Sequence, residues 1–238
     1  MQTRTGWMSA ALVGAALVVS TAMPAGAASD RTVARAGVIV KQDVPSAWTS
    51  RPPDNSGDKA LAKAAAGIPT CREYLAVRKS TDAATNAESR TFTDGANELS
   101  NKVWVFPNAA KAKKTFASME SSTVAGCFTT LFQSVLEATL GKDPSVSDVQ
   151  VSVDQETNLA GLAGDEKVAY GGPVLVTNTD GTVDTILLAN FLVRSGRSIL
   201  SFSVLGPADP QGNFATTFSD PAQEAIDDAI SRLARVES

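Results

Sequence analysis

The feature that most limits the fold is a run of short strands joined by tight turns in the second half of the chain. Between residues 148 and 205, apolar and polar residues alternate with a period of two, which is the side-chain spacing on one face of a strand. Asp180-Gly181 and Ser195-Gly196 interrupt this pattern as two-residue reversals. Strands joined by such short turns pair antiparallel. The pattern therefore predicts a C-terminal antiparallel meander.

Helices are predicted on both sides of the meander in the sequence. Residues 60–79 are helical in composition, with a break in the middle where a capping-box motif at Thr70 fits the start of a second short helix. Apolar residues at helical spacing indicate two more helices, one after Asn108 and one after Ser121. A last helix is predicted to begin at Asp220, which is followed by a proline in the first turn.

This order of elements indicates an α+β domain, because the helices are grouped apart from the strands. We predict an antiparallel β-sheet of about five to seven strands, with helices packed on one face and one disulfide. Residues 58–238 form this domain, and residues 29–57 form an N-terminal arm and loop that lies on it. Within the arm, Val38–Val40 is predicted as a short strand.

The first 28 residues have the pattern of a secretory signal peptide. Arg4 supplies a positive charge, residues 10–19 form an apolar stretch, and Ala25-Gly26-Ala27 provides the small residues that a signal peptidase recognises. Cleavage is expected after Ala27 or Ala28. The alternative, a membrane anchor, is less favoured because the apolar run is shorter than the roughly 20 residues of a spanning helix. The sequence therefore predicts a secreted, extracytoplasmic protein with no integral membrane span after signal removal.

The chain has two cysteines and no histidine. An even pair in an exported protein predicts a disulfide, here between Cys71 and Cys127. The missing histidine removes the usual general base, the Ser-His-Asp triad and the commonest zinc ligand. No motif for a cofactor or metal is present, since the pairs Gly161/Gly164 and Gly171/Gly172 are too sparse for a phosphate-binding loop. We therefore predict no cofactor, no metal and no catalytic residues.

The charge of the chain also limits its partners. The formal net charge is −4, and removal of residues 1–28, which hold one arginine and no acid, makes it one unit more negative. Nucleic acids and anionic membranes favour basic surfaces, so neither is expected as a partner.

Three pairs of charged residues are candidates for a catalytic or binding site. Asp227-Asp228 is interpreted as a solvated helix face and Asp165-Glu166 as turn or capping residues, because neighbours on a helix diverge and loop carboxylates often cap backbone groups. Arg194 and Arg197 flank one turn and are possible contacts for a carboxylate or phosphate. The favoured alternative is a charged turn that protects a sheet edge.

Several short motifs occur together in an order that resembles a known group of proteins. They are Asp43-Val-Pro-Ser-Ala-Trp48, Cys71, Ser89-Arg-Thr-Phe92, Ser100-Asn-Lys-Val103-Trp-Val-Phe106, Pro107-Asn-Ala-Ala-Lys-Ala112, Cys127, Gly164-Asp165 and Val193-Arg-Ser-Gly-Arg197. From about Val38 onward, the chain resembles secreted or lipid-anchored actinobacterial proteins and the extracellular sensor domain of PknH-type receptor kinases. The resemblance implies an antiparallel sheet with helices, a cleft for an unidentified ligand and no enzyme activity. Those sensor domains carry two disulfides, whereas this chain has cysteines for one.

We expect a sensor-like domain that binds an unknown envelope ligand or protein, in a groove where the helices meet the meander. That groove is expected to be lined by Leu, Ile, Val and Phe with few charges. One alternative is a protein-interaction or structural module of the cell envelope without a small ligand. Another is a hydrolase that acts through carboxylates, which would need two carboxyl groups facing each other across a cleft.

Overall fold

The structure is a computed structural model that describes residues 28–53, 56–157, 159, 162–209 and 212–237. The predicted signal peptide therefore lies outside the described residues, apart from Ala28. The helices are α1 (Asp30–Ala36), α2 (Ser56–Ala66), α3 (Arg72–Asp82), α4 (Ala109–Met119), α5 (Ser122–Leu140) and α6 (Thr216–Glu237). The strands are β1 (Thr49–Arg51), β2 (Thr85–Glu88), β3 (Thr91–Thr93), β4 (Glu98–Val105), β5 (Val146–Val151), β6 (Asp154–Glu156), β7 (Glu166–Asn178), β8 (Val183–Ser195) and β9 (Ser198–Pro207).

All nine described strands join one sheet in the order β1-β3-β4-β9-β8-β7-β5, with β2 also paired to β4 and β6 also paired to β7. Each of these pairings is antiparallel. The centre of the sheet is formed by β4, β9, β8 and β7, and the last two are 13 residues long. Short strands at both edges extend this central unit.

The two turns predicted from the sequence connect the long strands. Gly181 (φ +86°) lies between β7 and β8, and Gly196 (φ +52°) lies between β8 and β9. Both have the positive φ that L side chains rarely adopt, which is why glycine is needed at each reversal. The predicted meander is confirmed.

One face of the sheet is densely packed, and we call it the closed face. Leu99 and Val103 of β4 and Leu200 and Phe202 of β9 point to this side and are fully buried. They pack against α1 and against apolar residues of α6, including Ile226, Ile230 and Leu233. Trp48 stacks on Phe218 with 5.1 Å between ring centroids.

Polar contacts fix the N-terminal segment over the closed face. The side chain of Asn101, buried in β4, makes two hydrogen bonds. Its oxygen accepts from the N–H of Ile39 at 2.9 Å, and its nitrogen donates to the carbonyl of Gly37 at 2.8 Å. Arg232 of α6 donates to both carboxylate oxygens of Asp43 at 2.6 and 2.7 Å. Residues 37–43 are therefore linked to both β4 and α6.

The opposite face carries α3, α4 and α5, and we call it the cavity face. Val168, Leu192 and Ile199 lie on this side and form a second buried cluster with Phe116 and Met119 of α4, among others. A smaller cluster joins α2 to the start of α3 and to α5, with the disulfide Cys71–Cys127 at its centre. The predicted disulfide is present.

The α+β class is confirmed, but two details of the prediction were wrong. The sheet has nine described strands rather than five to seven, because short strands such as β2 and β6 pair alongside the long ones. Helices also lie on both faces rather than on one. The reason is visible in pairs such as Ile199-Leu200, where neighbouring strand residues are both apolar and both fully buried, one on each face.

Three local predictions also need correction. Val38–Val40 is not a strand, because Ile39 bonds to the Asn101 side chain instead of to a neighbouring strand. The capping box at Thr70 does not form; Cys71 precedes α3 without a side-chain cap. The last helix begins at Thr216, so that Pro221 lies inside it.

Candidate functional site

A cavity of about 350 Å³ lies between the cavity face of the sheet and the helices above it. Its floor comes from the central strands, and its walls come mainly from α3 and α5, with smaller contributions from α2, α4 and β2. The predicted groove between helices and meander therefore coincides with a cavity. Its composition differs from the expected one, because the floor is polar.

Strand register builds the first row of the floor. Ser100 of β4 lies opposite Ser203 of β9, Ser203 lies opposite Asn190 of β8, and Asn190 lies opposite Tyr170 of β7. These four side chains cross four strands in one line, and all line the cavity. We call them the polar row. The Asn190 amide nitrogen donates to the hydroxyls of Ser201 and Ser203, each at 3.0 Å.

A second row runs parallel to the first. Glu88 of β2 lies opposite Lys102 of β4, Lys102 opposite Ser201 of β9, and Ser201 opposite Leu192 of β8. The row changes from charged at the β2 end to apolar at Leu192, which is buried. The second row therefore has a charged end near β2 and β4 and an apolar end at Leu192 of β8, which we call the apolar side of the floor.

Aromatic side chains form the wall above the apolar side. Phe128 packs edge-on against Tyr74 at 5.4 Å between ring centroids and stacks on Phe132 at 6.0 Å. Phe128 also packs against Tyr170 of the floor at 5.3 Å. We call Tyr74, Phe128, Phe132 and Tyr170 the aromatic wall. Such contacts between rings add to the stability gained from burial alone.

Tyr170 belongs to both the floor and the wall. Its hydroxyl donates to the carbonyl of Met119 at the end of α4. Burial, and secondarily the negative charge of Glu120, raise the pKa of Tyr170 well above its ordinary value. The phenol is therefore protonated at all ordinary pH values and serves as a fixed donor that ties α4 to the sheet.

The charged side chains that line the cavity occur in pairs of opposite sign. Lys102 and Glu88 are 3.9 Å apart, and Arg78 and Asp82 of α3 are 3.8 Å apart. Each acid therefore has a basic partner. The cavity lining has no net charge from these four groups.

The disulfide ties together the two helices that form the wall. Cys71 lies at the start of α3, three residues before Tyr74, and Cys127 directly precedes Phe128 in α5. Both cysteines are buried. The bond therefore fixes the spacing of α3 and α5 and, with it, the width of the cavity.

The two arginines predicted as anion contacts lie at the β8–β9 turn and are not among the cavity-lining residues. Arg194 donates to Asp165 at 2.9 Å and also to Glu166. Arg197 donates to Asp30 at 2.6 Å. These contacts favour the alternative interpretation of a charged, structural turn. Anion binding there stays a prediction, and an anion would have to displace these carboxylates.

The acidic pairs considered for catalysis have separate positions. Asp165 and Glu166 both contact Arg194. Asp165 also accepts the backbone N–H of Gly196 at 2.9 Å, whereas Glu166 is the first residue of β7 and not part of a loop. On α6, Asp227 accepts from Gln223 at 3.1 Å, while Asp228 is exposed. The carboxylates that do line the cavity are Asp82 and Glu88, which pair with cations.

The residues of the polar row were not predicted from the sequence. One signal was available for Asn190, which stands in an otherwise apolar stretch of β8 between Ala189 and Phe191. A second was the alternation on β9, where Ser201 and Ser203 face the side opposite to Phe202. An amide within an apolar strand needs a polar partner when it is covered, so it indicates a site or a polar contact.

No described helix combines the length and hydrophobicity needed to cross a membrane. Within the same residues, no group of three or more cysteine or acidic side chains is arranged to hold a metal ion.

Comparison with known proteins shows only a weak resemblance in fold. No protein-family model matches the chain, and no curated protein sequence matches it significantly. The extracellular domain of PknH from Mycobacterium tuberculosis aligns over 69% of this chain and 76% of its own, at 10% identity and a TM-score of 0.31. The Saccharomyces cerevisiae Ran-binding protein Mog1p aligns over 64% and 94%, at 14% identity and a TM-score of 0.19. A point mutant of protein Mog1 aligns over 61% and 74%, at 14% identity and a TM-score of 0.20. Identities and TM-scores at this level do not assign the chain to a family.

Proposed function

We propose that the protein is a secreted, extracytoplasmic binding domain that holds a small ligand in the cavity between the sheet and helices α3 and α5, without catalysing a reaction. The observation that carries this proposal is the combination of a preformed cavity, an aromatic wall and a row of neutral polar groups. Small-molecule sites in proteins typically combine apolar walls with a few converging polar groups.

Export is the second part of the proposal. The signal-peptide pattern of residues 1–28 supports it, and so does the buried disulfide, because disulfides persist in oxidising compartments. N-terminal sequencing of protein from culture supernatant should give Ala28 or Ser29 as the first residue. A chain that stays in the cytoplasm with Met1 retained would contradict it.

The carboxylate-hydrolase alternative has less support than binding. The acids lining the cavity, Asp82 and Glu88, are each paired to a cation, and a general acid would need a carboxyl whose surroundings favour the protonated form. The interaction-module alternative would be favoured by a broad exposed apolar patch. The large exposed apolar side chains among the described residues are Val40 in the segment after α1, Val183 at the start of β8 and Leu205 in β9.

Binding is tested with an uncharged fluorescent probe, N-phenyl-1-naphthylamine, titrated into the folded, oxidised protein. We expect saturable fluorescence enhancement at one site and a rise in melting temperature, because a ligand that binds only the folded state stabilises it. Native mass spectrometry of protein purified from its own host should also reveal a retained small molecule.

Two tryptophan variants on the same strand locate the site. Leu188→Trp places an indole in the cavity lining, whereas Val183→Trp places one on an exposed part of β8 outside it. The first should abolish probe binding and the second should leave it unchanged. Equal probe binding by both variants, or no saturable binding by the unmodified protein, would overturn the proposed function.

A further inference from the structure

We propose that the cavity is built for an uncharged amphiphile, a small molecule with an apolar body and a hydroxyl or amide head. This inference rests on the proposed function and specifies the ligand class for the same site. The apolar body packs on the aromatic wall, and the head bonds to the polar row.

The charge balance of the lining excludes a strong preference for an ion. Lys102 and Glu88 neutralise each other, as do Arg78 and Asp82, and these pairs lie on the β2–β4 side and on α3. A charged ligand head would lose its hydration on entering the cavity and would find each opposite charge already paired. A neutral head avoids this desolvation cost.

The polar row has hydrogen-bonding capacity that matches a neutral head. Ser203 accepts a bond from Asn190, which leaves its own proton for another acceptor. Ser100 lies directly opposite Ser203, and its hydroxyl has no hydrogen-bond partner among the described residues. Two neighbouring hydroxyls, each able to donate and accept, suit a hydroxyl or amide group of the ligand.

The apolar part of the lining limits the size of the apolar body that a ligand can have. Phe128 and Phe132 of α5 and Leu192 of the floor line this part of the cavity, and Tyr74 packs against Phe128. The volume of about 350 Å³ is near the lower end of the roughly 300–1,000 Å³ typical of small-molecule sites. The body is therefore small, such as one short alkyl chain or a single ring.

A matched series of probes tests the head group. Octyl β-D-glucoside, octanoate and octyltrimethylammonium have the same alkyl length with neutral, negative and positive heads, and methyl β-D-glucoside has the head without the chain. Below the micelle concentration, calorimetry should show one-site binding of octyl glucoside. Both charged probes should bind at least about tenfold more weakly because their heads must be desolvated, and methyl glucoside should not bind measurably because it lacks the body.

A pair of asparagine variants tests the polar row. Asn190→Leu should weaken the binding of octyl β-D-glucoside about tenfold or more, because the neutral head loses a hydrogen-bonding partner. Asn86→Leu, at an exposed position of β2 outside the cavity lining, is the control and should leave octyl β-D-glucoside binding unchanged. Ser203→Ala, which alters an exposed hydroxyl, provides a second test if Asn190→Leu does not fold.

The outcomes separate the two proposals. Suppose that the naphthyl probe binds but octyl glucoside binds no better than octanoate, or that octyl glucoside binds the Asn190 and Ser203 variants as tightly as the unmodified protein. The proposed ligand class is then wrong, while the proposed binding function stands. If no probe of either kind binds saturably, the proposed function fails as well.

Discussion

The two faces of the central sheet use the same strands in opposite ways. On β9, Leu200, Phe202 and Val204 point to the closed face and are buried, whereas Ser201 and Ser203 point to the cavity face. Large apolar side chains fill the space under α6, and small polar ones leave space under α3 and α5. The same alternation that stabilises one side of the sheet therefore leaves a cavity on the other.

The closed face also explains how a sheet can tolerate a cavity. Its cluster joins α1, α6 and the N-terminal segment to β4 and β9, so the central strands are anchored from one side. Each large apolar side chain buried there, such as Leu200 or Phe202, contributes roughly 1.5–3 kcal/mol relative to its exposed state. The cavity face is then free to carry polar residues that add little to stability and can serve binding.

The largest effect on stability is expected from truncating a buried side chain on the closed face. Phe202→Ala should lower the free energy of unfolding by about 3–5 kcal/mol, because it removes a fully buried ring and leaves a void. Ser203→Ala, next to it but on the cavity face, should change stability by less than about 0.5 kcal/mol. Urea unfolding of both variants measures the difference. Similar losses for the two variants would mean that the faces are not distinct in packing.

The disulfide should matter for the cavity face in particular. Replacing both Cys71 and Cys127 by alanine should lower stability by about 2–4 kcal/mol, because the bond closes a loop with a sequence separation of 56 residues. Hydrogen exchange of the double variant should rise in α3 and α5 more than in α6, which packs on the other face. A uniform increase along the chain would show that the bond stabilises the whole domain and not the cavity wall.

The contact between α6 and the N-terminal segment gives the third expected effect. Arg232→Met should cost about 2 kcal/mol, because Asp43, whose side chain is only 6% exposed, loses its charged partner. The carbonyl of Val38 also loses a donor at 2.8 Å. Partial exposure of the arginine keeps the cost below that of a fully buried pair.

The matched control is Arg31→Met, which removes an exposed arginine from α1, directly before that segment in the chain. It should change stability by less than about 0.5 kcal/mol. If Arg232→Met is equally mild in urea unfolding, the pair with Asp43 is replaced by solvent and does not hold the segment.

Local signals in the sequence were sufficient to predict most of the helices and strands. The glycine turns at Gly181 and Gly196 and the apolar stripe of α4, with Ala112, Phe116 and Met119 buried, follow from patterns within a few residues. The cysteine pair followed from composition and from the predicted export. Such features depend on backbone geometry and periodicity, which a short segment determines by itself.

The cavity depends on relations that no short segment contains. Asn190 and Tyr170 belong to consecutive strands joined by predicted turns, but Ser100 belongs to β4, which is far from β9 in the chain. Only the register of the β4–β9 pair brings Ser100 into one row with them. The attachment of residues 37–43 likewise depends on Asn101 and Arg232, which are distant in sequence. Register between distant strands results from packing of the complete core, so it was not predicted from local pattern.

The smallest expected effect on stability concerns a carboxylate at the edge of the closed face. Glu237, at the end of α6, accepts from Ser198 at 2.6 Å, while its second oxygen is buried without a hydrogen-bond partner among the described residues. Burial raises the pKa of Glu237, and the negative charge of Asp165 adds to this, although the Ser198 bond and the charge of Arg197 act in the opposite direction. The folded state therefore favours the protonated form of this group.

The sign of the effect follows from this raised pKa. The stabilising contribution of the protonated carboxyl is complete below the pKa of the unfolded chain and is lost as the pH rises through the higher folded value. At pH 7, Glu237→Gln should therefore raise the free energy of unfolding by a few tenths of a kcal/mol, reduced by solvent screening because the group is only partly buried. Near pH 3 the two proteins should have equal stability, since both side chains are then neutral. Urea unfolding at both pH values measures this, and a variant that is less stable at pH 7 would mean that the attraction to Arg197 outweighs the cost of burial.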